Sequence, residues 1–442
     1  MLSLLLIAIL LWTEVHATKD GEMRLLLVQA MWRHGDRSPT KTYKNDPIRE
    51  ANWTFGGGGF GQLSTIGMQQ QYDLGKLIRQ RYINETGFLS KRYSSKEIYI
   101  RSTDTNRTII SALSNILGMY GGTGIAGTDY PNKTDSWPAG YVPIPVHTIF
   151  KPTDYVGIVD GPCNRRVQLW KLAEASRELQ DYKNRDDVSR MLKFLEEKTG
   201  EPIHLDDVHV VRDPLYIEQI HFKDKLKNVT PWFNDTVFKE ITKIYDQTTR
   251  YLNGLFEQQI MVNGLDIGLE LMRIRGGAYI NELVTHMNQK FDCQESDKAE
   301  CKWMKGLKYY AYSVHDSTIF QLFAIMGIER KVITPGVYPE YAAAAFFELW
   351  HNETDNQPYF RLLYRANETS PIYPITKEIN ECNGREYCTL QVFRDFAEKV
   401  KIYKPVPELC EVDPNKEGAN STKSRVQISF GFIALLFIWM TI

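Results

Sequence analysis

The chain has 442 residues, 43% hydrophobic and 24% charged, proportions that exclude a disordered or fibrous protein and leave room for two or three domains, or one large domain with an insertion. Its net charge of -1 supplies no global basic field, which argues against nucleic acid as a partner but leaves a local anion site open.

Leu2 to Trp12 is nearly all apolar and too short to span a bilayer comfortably, and Val15-His16-Ala17 follows with a peptidase-like pattern. Residues 1–17 therefore read as a cleaved signal peptide, although no basic residue precedes the apolar run; a buried terminal strand or helix is the alternative. Leu25 to Met31 is a continuous apolar run ending at Trp32 and reads as a buried strand. Ser64 can cap a helix whose apolar positions include Met68, Tyr72, Ile78 and Tyr82. Ile98 to Ile100 is a short strand ending at Arg101, after which Ser102 or Thr103 caps a helix carrying Ile109, Ile110, Leu113, Ile116 and Leu117. Strands alternating with helices predict an α/β sheet.

From about Asn164 to Cys293 charged stretches with helical spacing dominate, as in Val167 to Glu197 and Val237 to Gln259, and predict a mostly helical insertion. Tyr309 to Val314 returns to strand character, Ser317 to Met326 is helical with Gly327 as its stop, and Ala345 to Trp350 and Tyr359 to Tyr364 read as later strands. The predicted organisation is a core domain in two pieces, 23–150 and 300–410, an inserted helical domain at 151–299, a polar stalk at 411–425 and an apolar segment at 426–442. Lys423 and Arg425 precede that last segment, whose length is at the lower limit for a transmembrane helix. Gly418, Ala419, Asn420 and Ser421 upstream also suit a removable lipid-anchor signal, so both forms of membrane attachment stay open.

Six cysteines suit an exported chain with three disulfides. Sequons agree with export: Asn52, Asn84, Asn132, Asn228, Asn234, Asn352 and Asn367 are the candidate glycosylation sites, and Asn106 and Asn420 also head N-x-S/T triplets. The expected location is the secretory pathway, at the cell surface or outside the cell.

The sharpest cluster is Arg33-His34-Gly35-Asp36-Arg37-Ser38-Pro39, directly after the first strand. In an open α/β sheet, ligands bind at the carboxyl ends of strands. Two arginines within five residues form a fork for a dianion, and Gly35 permits close backbone approach. A histidine among arginines has its cationic form disfavoured, so its neutral nitrogen is available to attack. By itself the cluster also fits a solvated basic loop. Two distant segments weigh against that: Arg101 at a strand end, and Ser313-Val314-His315-Asp316-Ser317-Thr318, which again places a polar pair between strand and helix. Helix starts favour bound anions. Taken singly, Arg101 suits a surface ion pair and Asp316 a helix cap. Glycines 56–59 with Gly61 lack the Gly-Lys-Ser/Thr of a P-loop and read as a flexible loop. His204, Asp206, Asp207 and His209 match no zinc spacing and read as a solvated turn.

The Arg33-to-Pro39 block and the later His315-Asp316 resemble the histidine acid phosphatase family, and more particularly its prostatic and lysosomal members. The resemblance runs from about Arg24 to Cys410 and includes Gly61 to Met68, Ile100 to Asp104, Ile144 to Thr148, Asp213 to Tyr216 and His315 to Ile319. It implies a phosphoglycerate-mutase-like mixed α/β sheet with a helical domain inserted over the site. It implies that His34 forms a phosphohistidine intermediate, that Arg33, Arg37, Arg101 and His315 bind the phosphoryl oxygens, and that Asp316 protonates the leaving alcohol. No cofactor or metal is implied. The expected partners are small phosphomonoesters, with phosphoproteins and phospholipids as further candidates, the membrane through the C-terminal apolar segment and, by family resemblance, a second copy of the chain.

The resemblance also implies Cys163–Cys410 and Cys382–Cys388 disulfides. Ile217 and Ala344 stand where relatives often place a cysteine pair, which leaves Cys293 and Cys301 for each other. The chain lacks the cytoplasmic tail of lysosomal relatives, which puts tail-directed lysosomal sorting in doubt. The expected activity is broad-specificity hydrolysis of phosphate monoesters. The alternatives are a phytase-like enzyme acting on inositol polyphosphates and a catalytically silent surface-binding protein.

Overall fold

The computed structural model describes residues 23–132, 136–138, 140–333, 336 and 338–416. The signal peptide and the apolar segment expected at 1–17 and 426–442 lie outside the described residues. Among the described residues no helix is long and apolar enough to cross a membrane.

In chain order the elements are β1 (Met23–Arg33), α1 (Thr65–Arg79), β2 (Ile98–Thr103), α2 (Asn106–Tyr120) and β3 (His147–Ile149). A helical stretch follows: α3 (Asn164–Glu174), α4 (Arg177–Lys183), α5 (Asp186–Thr199), α6 (Val208–His221), α7 (Lys223–Val229) and α8 (Asp235–Leu252). The two-residue strands β4 (Met261–Val262) and β5 (Leu265–Asp266) form a hairpin before α9 (Ile267–Asp292). Then come α10 (Cys301–Gly306), β6 (Tyr309–Val314), α11 (Asp316–Ile325), α12 (Glu329–Val332), β7 (Ala344–Asn352), β8 (Gln357–Arg365), β9 (Tyr373–Pro374), β10 (Cys388–Thr389), α13 (Leu390–Lys399) and α14 (Val406–Cys410).

Eight strands form one sheet in the order β10-β8-β7-β1-β6-β2-β3, with β9 also paired to β8. β1, β6, β2 and β3 run parallel, while β7 is antiparallel to β1 and β8 to β7. The sheet is therefore mixed, as the family resemblance implies. β1, β6 and β2 are buried on both faces, which is why β1 reads as a continuous apolar run rather than an alternation. Val28, Ala30 and Trp32 face α1 and α2, whereas Leu27 and Met31 face α9, α11 and α13. Each fully buried large apolar side chain of this kind contributes about 1.5–3 kcal/mol.

α3 to α8 build a second apolar core with the first half of α9. Tyr43, Ile48 and Trp53, from the loop after β1, join that core, as do Leu409 and Cys410. The second half of α9 (Tyr279, Ile280, Leu283, Met287) packs beneath the sheet instead. A 26-residue helix is about 39 Å long, enough to serve both cores, so the change from helical core to sheet core falls inside α9. Cys163–Cys410 fastens the start of α3 to α14, and Cys293–Cys301 and Cys382–Cys388 close short loops.

Two local expectations are corrected. β2 does not end at Arg101 but continues to Thr103, and the cap of α2 is Thr105 rather than Ser102 or Thr103. Ser64 does cap α1, accepting from the Gly67 N–H, but the buried face of that helix is Gly67, Gln71, Leu74, Gly75 and Ile78, and Tyr72 is exposed. Small residues are needed there because α1 and α2 touch through backbone: a Cβ on Gly75 would lie 2.0 Å from the Asn115 carbonyl oxygen.

Candidate active site

The parallel strands β1, β6 and β2 end side by side, with Arg33 registered on Val314 and Ser102 on Ser313. His34 to Arg37, Thr103 to Arg107 and His315 to Asp316 therefore emerge at one edge of the sheet, where a doubly wound topology places its ligand. They border a cavity of about 610 Å³, lined by His34, Arg37, Arg107, Lys151, His315 and Asp316 at one end. Asp160, Arg166, Asp206, Asp207, His209 and Arg275 line the rest together with Tyr245, Tyr338 and apolar side chains.

Gly35 sits where the loop after β1 meets the start of α1. A Cβ on Gly35 would lie 2.3 Å from the Gly67 carbonyl oxygen, so only glycine permits this approach. His34 is 2% exposed. Its Nδ1 lies 2.8 Å from the Gly35 carbonyl oxygen. A carbonyl only accepts, so Nδ1 carries the proton and Nε2 holds a lone pair. Burial, reinforced by Arg107, Arg37 and Arg33, holds His34 well below the ordinary histidine value, so it is neutral.

Arg37 donates to both carboxylate oxygens of Asp213, on α6, at 2.9 and 3.1 Å. Against the opposing effect of burial, that carboxylate holds Arg37 above its ordinary value; Arg37 in turn overcomes burial to hold Asp213 below its own. Arg33 donates to the Pro339 carbonyl at 2.7 Å and pairs with Asp316 Oδ2 at 2.9 Å. The Tyr341 ring lies 4.2 Å under the Arg33 guanidinium, a stacking worth about 1 kcal/mol. Asp316 opens α11, and its other oxygen accepts the Ser317 N–H at 2.7 Å. His315 Nε2 is 3.1 Å from Thr103 Oγ1, and the two histidine rings are 5.7 Å apart between centroids.

Arg101 does not join this group. Because β2 runs two residues further, Arg101 lies within the strand, and its guanidinium pairs with Asp154 and with Glu282 at 3.0 Å. Arg107, in the first turn of α2, borders the cavity in its stead. Among the described residues none makes a hydrogen bond or ion pair with the Arg107 guanidinium; burial and the nearby Arg37 push it down to about 10. A half-buried cation without a counter-ion at a helix start is a ready receptor for an anion.

Asp213, which the sequence marks only within a block of resemblance and without a role, joins the site; Tyr341 carries no local sequence signal, nor does a brace behind the loop, in which Asp36 accepts from Ser64 Oγ and lies 2.7 Å from His221 Nε2 of α6. Asp213 and His221 of α6 thus add polar contacts at the start of the loop after β1 to the apolar ones its later residues Tyr43, Ile48 and Trp53 make in the helical core. Of the candidate glycosylation sites, Asn352 is the least accessible at 7% exposure; Asn52, Asn84, Asn132, Asn228 and Asn234 are exposed.

A model of the "Histidine phosphatase superfamily (branch 2)" matches residues 24–365. The chain is 33% identical over 403 residues to "Putative acid phosphatase 10" of Caenorhabditis elegans, covering 90% of this chain and 95% of that protein. It is 32% identical over 364 residues to prostatic acid phosphatase of Bos taurus, covering 79% and 80%. To human lysosomal acid phosphatase it is 30% identical over 396 residues, covering 88% and 80%. Among solved structures, the apo form of a Hafnia alvei phytase superposes with a TM-score of 0.58 at 12% identity, covering 90% of this chain and all of that one, a likeness of fold.

Proposed function

The chain belongs to the histidine phosphatase superfamily, branch 2, as an acid phosphatase, and on that premise we propose that it hydrolyses phosphate monoesters in two displacements through His34. The observation that carries this reading is the hydrogen bond from His34 Nδ1 to the Gly35 carbonyl, which leaves the Nε2 lone pair as nucleophile in a cavity bordered by Arg37, Arg107 and His315. Nε2 attacks phosphorus, the N–P bond forms and the bond to the ester oxygen breaks. Water then attacks the phosphohistidine, the N–P bond breaks, and phosphate leaves. Arg33, Arg37 and Arg107 offset the phosphoryl charge throughout.

Asp316 is the proposed proton donor. Its Oδ2 is held by Arg33. A phosphoryl group that draws Arg33 to itself releases that oxygen to hold a proton for the leaving alcohol, and the resulting carboxylate then takes the proton of the attacking water. The rest of the cavity sets Arg166 and Arg275 against Asp160, Asp206 and Asp207. This balance supports monoesters with one phosphate over polyphosphorylated substrates, which gain most from an unbroken basic rim. Export is supported by three disulfides among six cysteines. Membrane attachment through residues 426–442 rests on sequence pattern; deletion of 423–442 releasing active enzyme into the medium supports it, and cell-retained activity refutes it.

The test of function is phosphate release from p-nitrophenyl phosphate at about pH 5, by wild type and His34→Ala. The nucleophile role requires the variant to keep less than about a hundredth of the rate, since acid–base assistance alone supplies a factor of that order. A variant above that level refutes it.

A further inference from the structure

The hydroxyl chain behind His315 determines which of its nitrogens holds the proton. Thr103 Oγ1, at the end of β2, is 3.1 Å from His315 Nε2 and 2.8 Å from Thr108 Oγ1. Thr108 Oγ1 is in turn 2.8 Å from the Thr105 carbonyl and 3.0 Å from the Thr103 carbonyl. Carbonyls only accept, so the single Thr108 proton points at them and the Thr108 oxygen offers Thr103 a lone pair. Thr103 gives its own proton to Thr108. What it has left for His315 is a lone pair, which requires a proton on Nε2. Thr103 is 1% exposed and Thr108 fully buried, so no solvent competes for these bonds. Neutral His315 therefore presents its other nitrogen, Nδ1, without a hydrogen and without a partner among the described residues.

A bare nitrogen repels a phosphoryl oxygen unless a proton lies between them. We infer that Thr103 and Thr108 are positioning residues that hold the proton of neutral His315 on Nε2, so that the site takes up its ligand together with one proton at Nδ1 and selects the monoanion of a phosphate ester. The inference rests on the phosphatase reading and deepens it. The proton is supplied by the P–OH of a monoanion, or by solvent when the arriving anion has none. The groups facing His315 are Arg33 at the end of β1, His34 and Arg37 after it, Arg107 on α2, Lys151 after β3 and its neighbour Asp316. Burial and the cations keep the imidazole neutral; a bound dianion offsets those cations and makes protonation favourable. Affinity must then fall as pH rises, which is a physical reason for an acidic working range.

Sulfate is the probe, because it has the shape of phosphate and brings no proton of its own. Its dissociation constant, measured by calorimetry on the whole enzyme from about pH 5.5 to about 7.5, is expected to rise about tenfold per pH unit for each proton taken up. Thr103→Val removes the acceptor of the Nε2 proton, so the proton moves to Nδ1 and that slope falls by about one power of ten per unit. Thr108→Val frees the Thr103 proton for Nε2 and lowers the slope in the same way, whereas Thr103→Ser keeps the wild-type slope. A flat wild-type profile, or a slope unchanged in both valine variants, overturns the inference. Absence of wild-type turnover of p-nitrophenyl phosphate would instead overturn the phosphatase reading, and the calorimetric result does not depend on turnover.

Discussion

Glu218 of α6 is fully buried and hydrogen-bonded to Asp46, which is equally buried in the loop after β1. Ile48 N–H and Thr42 Oγ donate to Asp46, and Lys225 is the cation acting on Glu218. Burial first, then the Asp46 charge, raises Glu218 far above the ordinary carboxylate range. The folded state therefore holds a proton that the unfolded chain releases above its ordinary value near 4.3. This contribution is fully present at low pH and is lost as pH climbs toward the folded value. The loss is about 1.4 kcal/mol per pH unit, or about 3 kcal/mol between pH 5 and pH 7. Unfolding entropy of about 2.1 cal/mol/K per residue over roughly 400 residues converts that into a fall of about 3 °C in Tm. Glu218→Gln keeps the shape and the hydrogen bond without a titrating proton. Scanning calorimetry at the two pH values is expected to show the wild-type Tm dropping about 3 °C further than that of the variant. Equal drops in both proteins would refute the reasoning.

Asp316→Asn is expected to cost about a hundredfold or more with alkyl phosphates and far less with p-nitrophenyl phosphate, whose leaving group hardly needs a proton; equal losses on both, measured as kcat, would remove the general-acid role. Asp213→Asn, by releasing Arg37, is expected to raise KM by about tenfold or more with the fold intact, and an unchanged KM would show that Arg37 is held by other contacts. Arg107→Met is expected to weaken phosphate binding while leaving Tm near wild type. Arg101→Met is expected to lower Tm by leaving the buried Asp154 and the partly buried Glu282 beside no cation, a loss on the order of 3–5 kcal/mol. The reverse pattern, read by phosphate inhibition and calorimetry, would return Arg101 to the phosphate site.

The parts of the fold that were legible in the sequence are those with one dominant local signal. β1 and β6 are buried apolar runs, Ser64 caps α1, and Gly327 ends α11 in the left-handed region at φ +67°. The Arg101 reading failed on a boundary: Ser102 and Thr103 look like helix-capping residues, but they are the last rungs of β2, paired with Thr148 and Ile149 of β3. Extending that strand by two residues moves the helix start to Asn106 and makes Arg107 the arginine that lines the cavity. Asp213 could not be found from spacing, because its partnership with Arg37 joins residues 176 positions apart and exists only once α6 is folded over the sheet edge. The split role of α9 was hidden for a related reason, since both halves are apolar at helical spacing and only tertiary packing separates them.

The central claim is that His34 becomes covalently phosphorylated. Enzyme mixed with phosphorus-labelled p-nitrophenyl phosphate and quenched in alkali within one turnover is expected to carry label on the peptide containing His34, stable in base and lost in acid as a phosphoramidate should be. Label on another residue, or turnover with no labelled enzyme at any quench time, would contradict it.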